Sequence, residues 1–312
     1  MKAAILRMLE SNATVSGNRL SRKLGISRVS VWKHIRRLQE LGYVIETSSR
    51  GYRLVDRPGV AYPWEMGRWQ DLVRYLDETT STMDEALRLA HAGCPAFTTV
   101  VAGRQSRGRG RLQRRWESES GGLYFTVVLR PAISPAEAPR INLAAAVDLA
   151  VALENLCGLE ARLKWPNDIL VDGRKVAGIL SQMEAESDRV AFVNVGLGVN
   201  LSNDPGRVVP GAGSVYRLTG RKIAASVLLK QFLDRFAGRF ERGHLDRALE
   251  HWRRLSLTLG RPVTVVTLRE RYRGIAKDIT EDGGLILEMD DGTLKTVAYG
   301  DCFHNRPAEP PK

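Results

Sequence analysis

The chain of 312 residues is longer than one ordinary domain requires, so we expect two or three domains with apolar cores. No apolar run approaches the length of a membrane span, and the Met-Lys start lacks the apolar stretch of a signal peptide, which together predict a cytoplasmic protein that does not enter a membrane. Three scattered cysteines and five histidines without metal-ligand spacing argue against disulfides, a structural metal and a Ser-His-Asp hydrolase.

Most of the basic charge lies near the N-terminus. Residues 1–60 hold twelve lysines and arginines against four acidic residues, an excess of eight within the chain's net charge of +12. Positive charge concentrated in a small unit is typical of proteins that neutralise nucleic-acid phosphates. The charge therefore favours DNA as a partner of this region.

Residues 1–58 have the pattern of a winged helix-turn-helix domain. Apolar residues at helical spacing predict a first helix, a second helix that stops at Gly25, and a third that begins after Ser27 and closes at Gly42. The short turn after Gly25 fits a helix-turn-helix at about residues 17–36, and residues 43–47 and 52–55 read as a hairpin. The side chains predicted to face DNA are Arg28, Ser30, Lys33, Arg37 and, on the wing, Arg50 and Arg53. The alternative is a three-helix module that binds protein and whose arginines are merely solvated.

Residues 56–59 break this pattern and mark a linker, after which strands and helices alternate from about residue 70 to 258. We expect an α+β domain around a mainly antiparallel or mixed sheet. The predicted strands are residues 74–76, 98–102, 123–129, 161–164, 169–171, 175–183 and 189–201, and the predicted helices are residues 82–90, 141–156, 224–240 and 244–255. Asp172-Gly173 predicts a tight turn between two of the strands.

The most unusual segment, which we call the arginine loop, runs from Arg104 to Trp116. It holds six arginines in thirteen positions and no acidic residue. Such a density of like charge repels itself, and no helix or strand periodicity runs through the segment. We therefore expect this loop to bind an anion and to stay mobile until an anion neutralises it.

Three polar elements of the central region are unexplained by folding: Ser81-Thr82 at the head of a helix, the arginine loop, and residues 164–168 followed by Lys175. No phosphate-binding P-loop and no complete dinucleotide fingerprint occurs in the sequence. The residue types suit activation of a carboxylate by a nucleotide, because fixed Arg and Lys charges relieve the repulsion between two anions while an acidic residue holds Mg²⁺.

Four segments in order carry a specific resemblance. They are residues 105–111 with Trp116, residues 164–168 (Lys-Trp-Pro-Asn-Asp), residues 174–180 (Arg-Lys-Val-Ala-Gly-Ile-Leu) and residues 196–200 (Gly-Leu-Gly-Val-Asn). Together they resemble the signatures of biotin protein ligases, and with the winged helix in front the whole chain resembles the bifunctional ligases that are also biotin operon repressors.

The resemblance implies a two-step reaction and its partners. Biotin and Mg-ATP would give biotinyl-5′-AMP and pyrophosphate, and a lysine of the biotin carboxyl carrier protein of acetyl-CoA carboxylase would then take the biotinyl group. Ordering of the arginine loop over the adenylate would exclude water, and residues 211–214 resemble a second mobile loop that closes over adenine. Bound biotinyl-5′-AMP would also favour a homodimer that binds operator DNA and represses biotin biosynthesis genes.

The resemblance also implies residue roles. The biotin and adenylate site would comprise Ser81, Thr82, Met83, Gln105, Arg109, Gly110, Arg111, Lys175 and Gly178, and the ATP side Arg114, Trp116, Lys164, Asn167 and Asn200. Lys175 would contact the biotin carboxylate and the forming adenylate, Arg111 would retain the adenylate, and Asp168 would act in catalysis and hold Mg²⁺. The family often has Asn where this chain has Met83, and a buried structural role is the alternative for Trp116.

Residues 261–312 predict a third domain. Four short strands at residues 263–268, 274–279, 285–289 and 293–299, with Gly-containing turns, read as a small β-barrel similar to the SH3-like domain of the family, and the Pro-rich end is expected to be disordered. Two other functions stay open: a lipoate ligase, which would not be expected to have the arginine loop or a winged helix, and a non-enzymatic sensor of a small anion.

Overall fold

The structure, a computed structural model, describes residues 1–10, 13–158, 160–245 and 247–304. The C-terminal end predicted to be disordered, residues 305–312, lies outside the described residues. Within them, no helix has the length and apolar character needed to cross a membrane.

The predicted winged helix-turn-helix is present. Its elements are α1 (Lys2–Leu9), α2 (Gly17–Leu24), α3 (Arg28–Glu40), β1 (Val44–Ser48) and β2 (Gly51–Asp56). The helix ends are formed by the residues that the sequence predicted. Gly25 ends α2 in the left-handed conformation with φ 65°. The Ser27 side chain caps α3 by accepting a hydrogen bond of 3.1 Å from the Ser30 backbone N–H. Val31, Ile35 and Leu38 point from α3 into the domain's own core.

The central domain is built on a mixed seven-stranded sheet, as predicted. In chain order its strands are β3 (Val73–Thr79), β4 (Thr99–Gln105), β5 (Leu123–Leu129), β6 (Arg162–Lys164), β7 (Asp168–Val171), β8 (Arg174–Glu186) and β9 (Arg189–Val199). Their spatial order is β3-β4-β5-β9-β8-β7-β6, in which β3 and β4 run parallel and the other neighbours antiparallel. The predicted segments form strands because many of their apolar residues are β-branched, and such residues favour strand structure.

Helices cover both faces of this sheet. They are α4 (Thr82–His91), α5 (Pro139–Cys157), α6 (Val215–Thr219), α7 (Ala225–Glu241) and α8 (Arg247–Leu255). Val101 belongs to the main core with α5, α7 and α8, whereas its neighbour Val100 packs in a second cluster with Ala86 and Ala90 of α4. Successive strand residues face opposite sides, so α4 lies across the sheet from α5. The head of α4 is thereby held beside the end of β4, where the arginine loop begins.

The C-terminal domain is an antiparallel five-stranded sheet of β10 (Pro262–Val266), β11 (Arg271–Ile279), β12 (Leu285–Met289), β13 (Leu294–Val297) and β14 (Asp301–His304). The fifth strand, β14, was not predicted. The order β13-β12-β11-β10-β14 leaves β13 and β14 as unpaired edges among the described residues, so the barrel is not closed. Val263 and Leu287 share the main core with the central domain. The two domains therefore pack as one body, and β14 is brought to the edge of the site described next.

Candidate active site

One cavity of about 300 Å³ lies at the junction of the central and C-terminal domains. All fifteen residues that the sequence suggested for biotin, adenylate and ATP line it: Ser81, Thr82, Met83, Gln105, Arg109, Gly110, Arg111, Arg114, Trp116, Lys164, Asn167, Asp168, Lys175, Gly178 and Asn200. Their positions span about 120 residues of sequence, and the fold gathers them in one place.

A buried polar wall is formed where α4 begins. Ser81 caps the helix by accepting from the Met83 backbone N–H at 3.3 Å. The Gln105 Oε1 atom accepts from the backbone N–H of Thr82 at 2.8 Å and from its hydroxyl at 3.1 Å, while Gln105 Nε2 donates to the Ser118 hydroxyl at 2.8 Å. Because these side chains are buried, their orientation is set by one another rather than by water. The wall is thus arranged before a ligand arrives.

A charged pair stands on the β7–β8 hairpin. Asp168 and Lys175 lie near each other across the predicted turn, in which Asp172 has φ 47° and Gly173 φ 71°, and the Lys175 Nζ and Asp168 Oδ1 atoms are 2.6 Å apart. The ammonium also lies 5.2 Å from the centre of the Trp116 ring. A cation held in this way between a carboxylate and an aromatic face is positioned to meet an anionic ligand.

The arginine loop folds back on itself and closes one side of the cavity. The Gly110 N–H donates to the Arg114 carbonyl at 2.8 Å, and the Trp116 N–H donates to the Gly108 carbonyl at 2.9 Å. At the tip, Leu112 and Gln113 both have positive φ, 51° and 60°. Such backbone angles are costly for residues with a β-carbon, so the tip stores local strain. That the loop is mobile without an anion stays a prediction.

The guanidinium groups of the loop are tied to three other parts of the chain. Arg109 Nη1 lies 2.9 Å from Asp84 Oδ1 on α4, and Arg114 pairs with Asp301 on β14. Arg111 donates to Asn167 Oδ1 at 3.4 Å and to the Gly300 carbonyl at 3.2 Å. Burial lowers the pKa of the Arg111 guanidinium from its ordinary value, although the nearby Asp301 and Asp168 oppose the change.

The floor of the cavity is made of glycines. Gly178 on β8 pairs with Gly198 on β9, and Gly196 lies two residues earlier; we call these three the glycine floor. A β-carbon at position 198 would lie 2.4 Å from Trp116 Nε1, one at 178 would lie 2.8 Å from Trp116 Cζ3, and one at 196 would lie 2.5 Å from Met83 Sδ. Side chains at these positions would therefore displace Trp116 and Met83, which both line the cavity. Trp116 Nε1 is buried here without a hydrogen-bond partner among the described residues.

Comparison with known proteins identifies the family. The model of the biotin/lipoate A/B protein ligase family matches residues 74–200, an HTH domain model matches residues 2–53, and the biotin protein ligase C-terminal domain matches residues 258–305. The bifunctional ligase/repressor BirA of Bacillus subtilis (strain 168) is 36% identical over 303 residues, which cover 91% of this chain and 92% of that protein. The chain belongs to the biotin protein ligase family.

Further relatives agree with this assignment. BirA of Escherichia coli (strain K12) is 27% identical and is matched over 95% of both chains. Among solved structures, the biotin protein ligase from Aquifex aeolicus in complex with biotin and ATP superposes with a TM-score of 0.63 at 28% identity, covering 75% of this chain and 99% of that one. The resemblance read from the four motifs is confirmed: the chain is a biotin ligase that also carries the DNA-binding domain of a repressor. The relatives matched here are biotin ligases rather than lipoate ligases or non-enzymatic sensors.

Two features of the ligase cavity were missed by the sequence reasoning. Gly196 and Gly198 stood in a quoted motif but were given no place in the site, although their spacing of two on a strand could have put both on one face. Asp301 also lines the cavity, and nothing local in the sequence signals this, because its strand β14 is positioned by pairing with β10.

Met83 departs from the Asn often found in the family. Its side chain is 3% exposed and its sulfur packs directly above Gly196. In this ligase the position therefore supplies an apolar wall of the cavity, and the polar contact near it comes from the backbone N–H that Ser81 caps.

The residues predicted to face DNA are separated by the structure into two groups. Arg28, Lys33 and Arg50 are exposed. Ser30 is half-buried and its hydroxyl is 3.0 Å from that of Ser27, and Arg37 is 2.8 Å from Glu40. A capping hydroxyl and a neutralised arginine have less to offer a phosphate than the first group.

Proposed function

We propose that this cavity forms biotinyl-5′-AMP and pyrophosphate from biotin and ATP and then transfers the biotinyl group to a lysine of the biotin carboxyl carrier protein of acetyl-CoA carboxylase. The observation that carries the proposal is the convergence of the fifteen predicted residues on one cavity, which has both a neutral polar wall and Lys and Arg groups. A ligand with a neutral, hydrogen-bonding head group and an anionic tail joined to a nucleotide fits such a lining.

The chemistry assigned to each residue follows from charge. Biotin would lie with its ring system against Gln105 and the head of α4 and its carboxylate toward Lys175. An oxygen of that carboxylate attacks the α-phosphorus of ATP, an O–P bond forms, and the bond to pyrophosphate breaks. The fixed cations Lys175 and Arg111 lower the repulsion between the two anions and stabilise the charge that develops on the phosphate oxygens. In the second step the carrier lysine's amine attacks the acyl carbon, AMP leaves, and the amine loses a proton.

Asn167 and Asn200 are proposed to hold the nucleotide together with Arg114, Trp116 and Lys164. The orientation of the Asn167 side chain is held by a hydrogen bond, in which its Nδ2 donates to the Ile179 carbonyl at 2.6 Å. The Asn200 side chain accepts from Asn203 Nδ2 at 2.9 Å and is itself buried. These contacts pre-position both amides at the cavity wall.

Asp168 is the residue that would hold Mg²⁺. Its carboxylate is partly buried, and its Oδ1 atom pairs with Lys175 Nζ at 2.6 Å, so a bound ion would share this carboxylate with the ammonium. Mg²⁺ is commonly bound through one or two carboxylates together with substrate phosphates, so a single carboxylate is an adequate donor set here. When bound, the ion would neutralise charge on the ATP phosphates. The described residues contain no group of three His, Cys, Asp or Glu side chains suited to a metal on its own.

Water is proposed to be kept from the adenylate by two loops. The arginine loop covers one side, and residues 211–214 cover the other, where the Lys175 N–H donates to the Gly211 carbonyl and the Gly213 N–H donates to the Lys175 carbonyl, both at 3.0 Å. These two bonds attach the second loop to the backbone of Lys175. Exclusion of water protects a mixed anhydride from hydrolysis.

The finer features of the repressor also belong to this proposal. With biotinyl-5′-AMP bound, the chain forms a homodimer, and its two winged helices bind the two half-sites of an operator. The domain limits that we propose, residues 1–58, 70–258 and 261–312, separate the DNA-binding unit from the catalytic one. The protein then acts in the cytoplasm, where ATP, the carrier and the operator are found.

Biotin-dependent exchange of pyrophosphate into ATP tests the enzyme. We expect exchange with biotin and none with lipoate. Lys175→Ala should lower kcat by about 10²–10³-fold, the usual cost of removing one group that stabilises transition-state charge. Lys230→Ala is the matched control, because Lys230 also forms an ion pair, 2.7 Å from Asp234, but lies outside the cavity. Unchanged exchange in Lys175→Ala would remove Lys175 from the mechanism.

A further inference from the structure

The outward face of α3 carries two exposed apolar side chains. Val29 is 62% exposed and Trp32 is 49% exposed, although α3 already buries a separate apolar stripe in the domain core. Positions three apart on a helix are neighbours on its surface, so the two side chains form one small patch. Single exposed apolar residues are ordinary, but adjacent ones that include a tryptophan indicate a contact surface.

The surroundings of this patch are cationic. Arg28 and Lys33 are exposed and form no ion pair among the described residues. The Arg36 guanidinium lies 5.5 Å from the centre of the Trp32 ring, and its charge is likewise not balanced by a carboxylate in that part of the chain. A patch bordered by unpaired positive charge suits a polyanion that also presents apolar groups, rather than an apolar protein surface.

We propose that Val29 and Trp32 contact thymine C5-methyl groups in the major groove, so that this pair supplies sequence specificity to the DNA-binding domain. The proposal rests on the repressor function proposed above. Residues in the first turns of a recognition helix reach base edges, and the thymine methyl is the apolar group that the major groove displays. Arg28, Lys33 and Arg36 then contact phosphates, which orient the helix without reading the sequence.

Uracil substitution tests the contact, because it removes only the methyl group. Duplexes are first selected from a randomised DNA pool with the full chain, biotin and ATP, and each thymine of the selected sequence is then replaced by uracil in turn. Wild-type binding should weaken by about fourfold at each contacted position, because the burial of one methyl-sized group is lost. In Val29→Ala and Trp32→Ala, the affinity for the thymine duplex should fall. At the position that each residue contacts, the ratio of the affinity for the thymine duplex to that for the uracil duplex should drop to about one.

Val44→Ala is the matched control. Val44 is 50% exposed and belongs to the same domain, but it lies on β1, beyond the C-terminal end of α3. The ratios of thymine-duplex to uracil-duplex affinity measured for Val44→Ala should therefore equal those of the wild type. Pyrophosphate exchange should be unchanged in all three variants. An enriched duplex whose binding ignores uracil substitution, or variants that keep the wild-type ratios, would overturn this proposal alone. Failure to enrich any duplex would overturn both it and the repressor function, and would favour a protein partner for the face.

Discussion

The glycine floor shows how the lack of side chains lets Trp116 and Met83 pack closely at the cavity wall. Gly178 and Gly198 lie directly beneath the Trp116 indole, so the ring packs against bare strand backbone at the wall of the cavity. Any added carbon at these positions must move the ring, because strand backbone on the other side cannot yield.

Gly198→Ala should therefore weaken ligand binding while leaving the fold intact. The added methyl would lie 2.4 Å from Trp116 Nε1, and overpacking of this kind typically costs about 1–3 kcal/mol. A cost of that size borne by the ligand-bound state alone would raise the Kd for biotinyl-5′-AMP by about fivefold to 150-fold. Titration calorimetry measures the Kd. Gly59→Ala, where the new methyl meets no atom within 4 Å, is the control. Equal affinities in the two variants would show that the floor does not contact the ligand.

His304 links the C-terminal domain to the motif of residues 164–168. Its Nε2 lies 3.1 Å from the Thr258 hydroxyl, which in turn accepts from the Trp165 N–H at 3.0 Å. The hydroxyl is thus free to donate to a neutral imidazole. Burial, together with Lys164 and Arg261, lowers the pKa of His304 from 6.5 to about 4.

This shift predicts a pH dependence of stability. Between pH 6.5 and about 4 the unfolded chain binds a proton at His304 that the folded chain does not, so the free energy of unfolding falls as pH falls through this window. His304→Gln keeps a side chain able to accept from Thr258 but cannot titrate, and its urea midpoint should change less between pH 7 and pH 5 than that of the wild type. Parallel changes in the two proteins would contradict the role of His304.

At the scale of the elements, the arginine loop is the segment whose order should depend on ligand. Its arginines lie close to one another, and the contacts that hold them, such as Arg109 with Asp84, are largely exposed and therefore weak. Trypsin should cut the loop between residues 107 and 115 rapidly in the free protein and slowly with biotin and ATP, because a bound adenylate neutralises the loop. Cleavage at Arg189, on the far hairpin, should not change. Equal cleavage rates with and without ligand would contradict closure.

Most elements could be predicted because their signals are local. Ser27 and Gly25 at helix ends, the Asp172-Gly173 turn and alternating apolar strands each act within a few residues. The strand β14 could not be predicted, since its four residues acquire strand structure only by pairing with β10, about 38 residues earlier in the sequence. The buried ion pair of Arg239 and Asp148 could not be predicted either, because the two residues lie 91 positions apart in the sequence.

Part of the candidate site could likewise be predicted from the sequence, and part could not. The family resemblance of the four motifs supplied the polar residues of the cavity, and Lys175 was also singled out because a charge on an apolar strand requires a partner. The contribution of Asp301 depends on how the C-terminal domain packs, and the exposure of Trp32 depends on which face of α3 the core takes. Neither is a property of a local segment.

At the scale of the whole molecule, the DNA-binding and catalytic domains meet through an aromatic cluster. Tyr62 stacks on Trp64 with ring centres 4.5 Å apart and meets Tyr75 of β3 edge-on at 4.8 Å. Arg57 adds ion pairs to Glu65 and, at 3.0 Å, to Glu10 of the first domain. The winged helix is therefore fixed to the sheet rather than suspended on a loose linker.

The two activities should nevertheless separate when the chain is shortened. Among the residues that the structure describes, none before Ser81 lines the cavity, so a chain without residues 1–57 should keep pyrophosphate exchange within a few-fold of the full chain. It should lose binding to the selected DNA, because it loses the excess of eight positive charges in the first sixty residues together with α3. A gel-shift assay measures this loss, and retained DNA binding would refute the assignment of the winged helix.

The central claim is that one cavity binds an acyl-nucleotide made from biotin. Titration calorimetry of the intact chain with biotinyl-5′-AMP tests it most directly. We expect one molecule bound per chain, more tightly than biotin alone, with most of the affinity lost in Arg111→Ala because its half-buried guanidinium faces the adenylate. A titration without heat at several temperatures, or binding that Arg111→Ala leaves unchanged, would contradict the account.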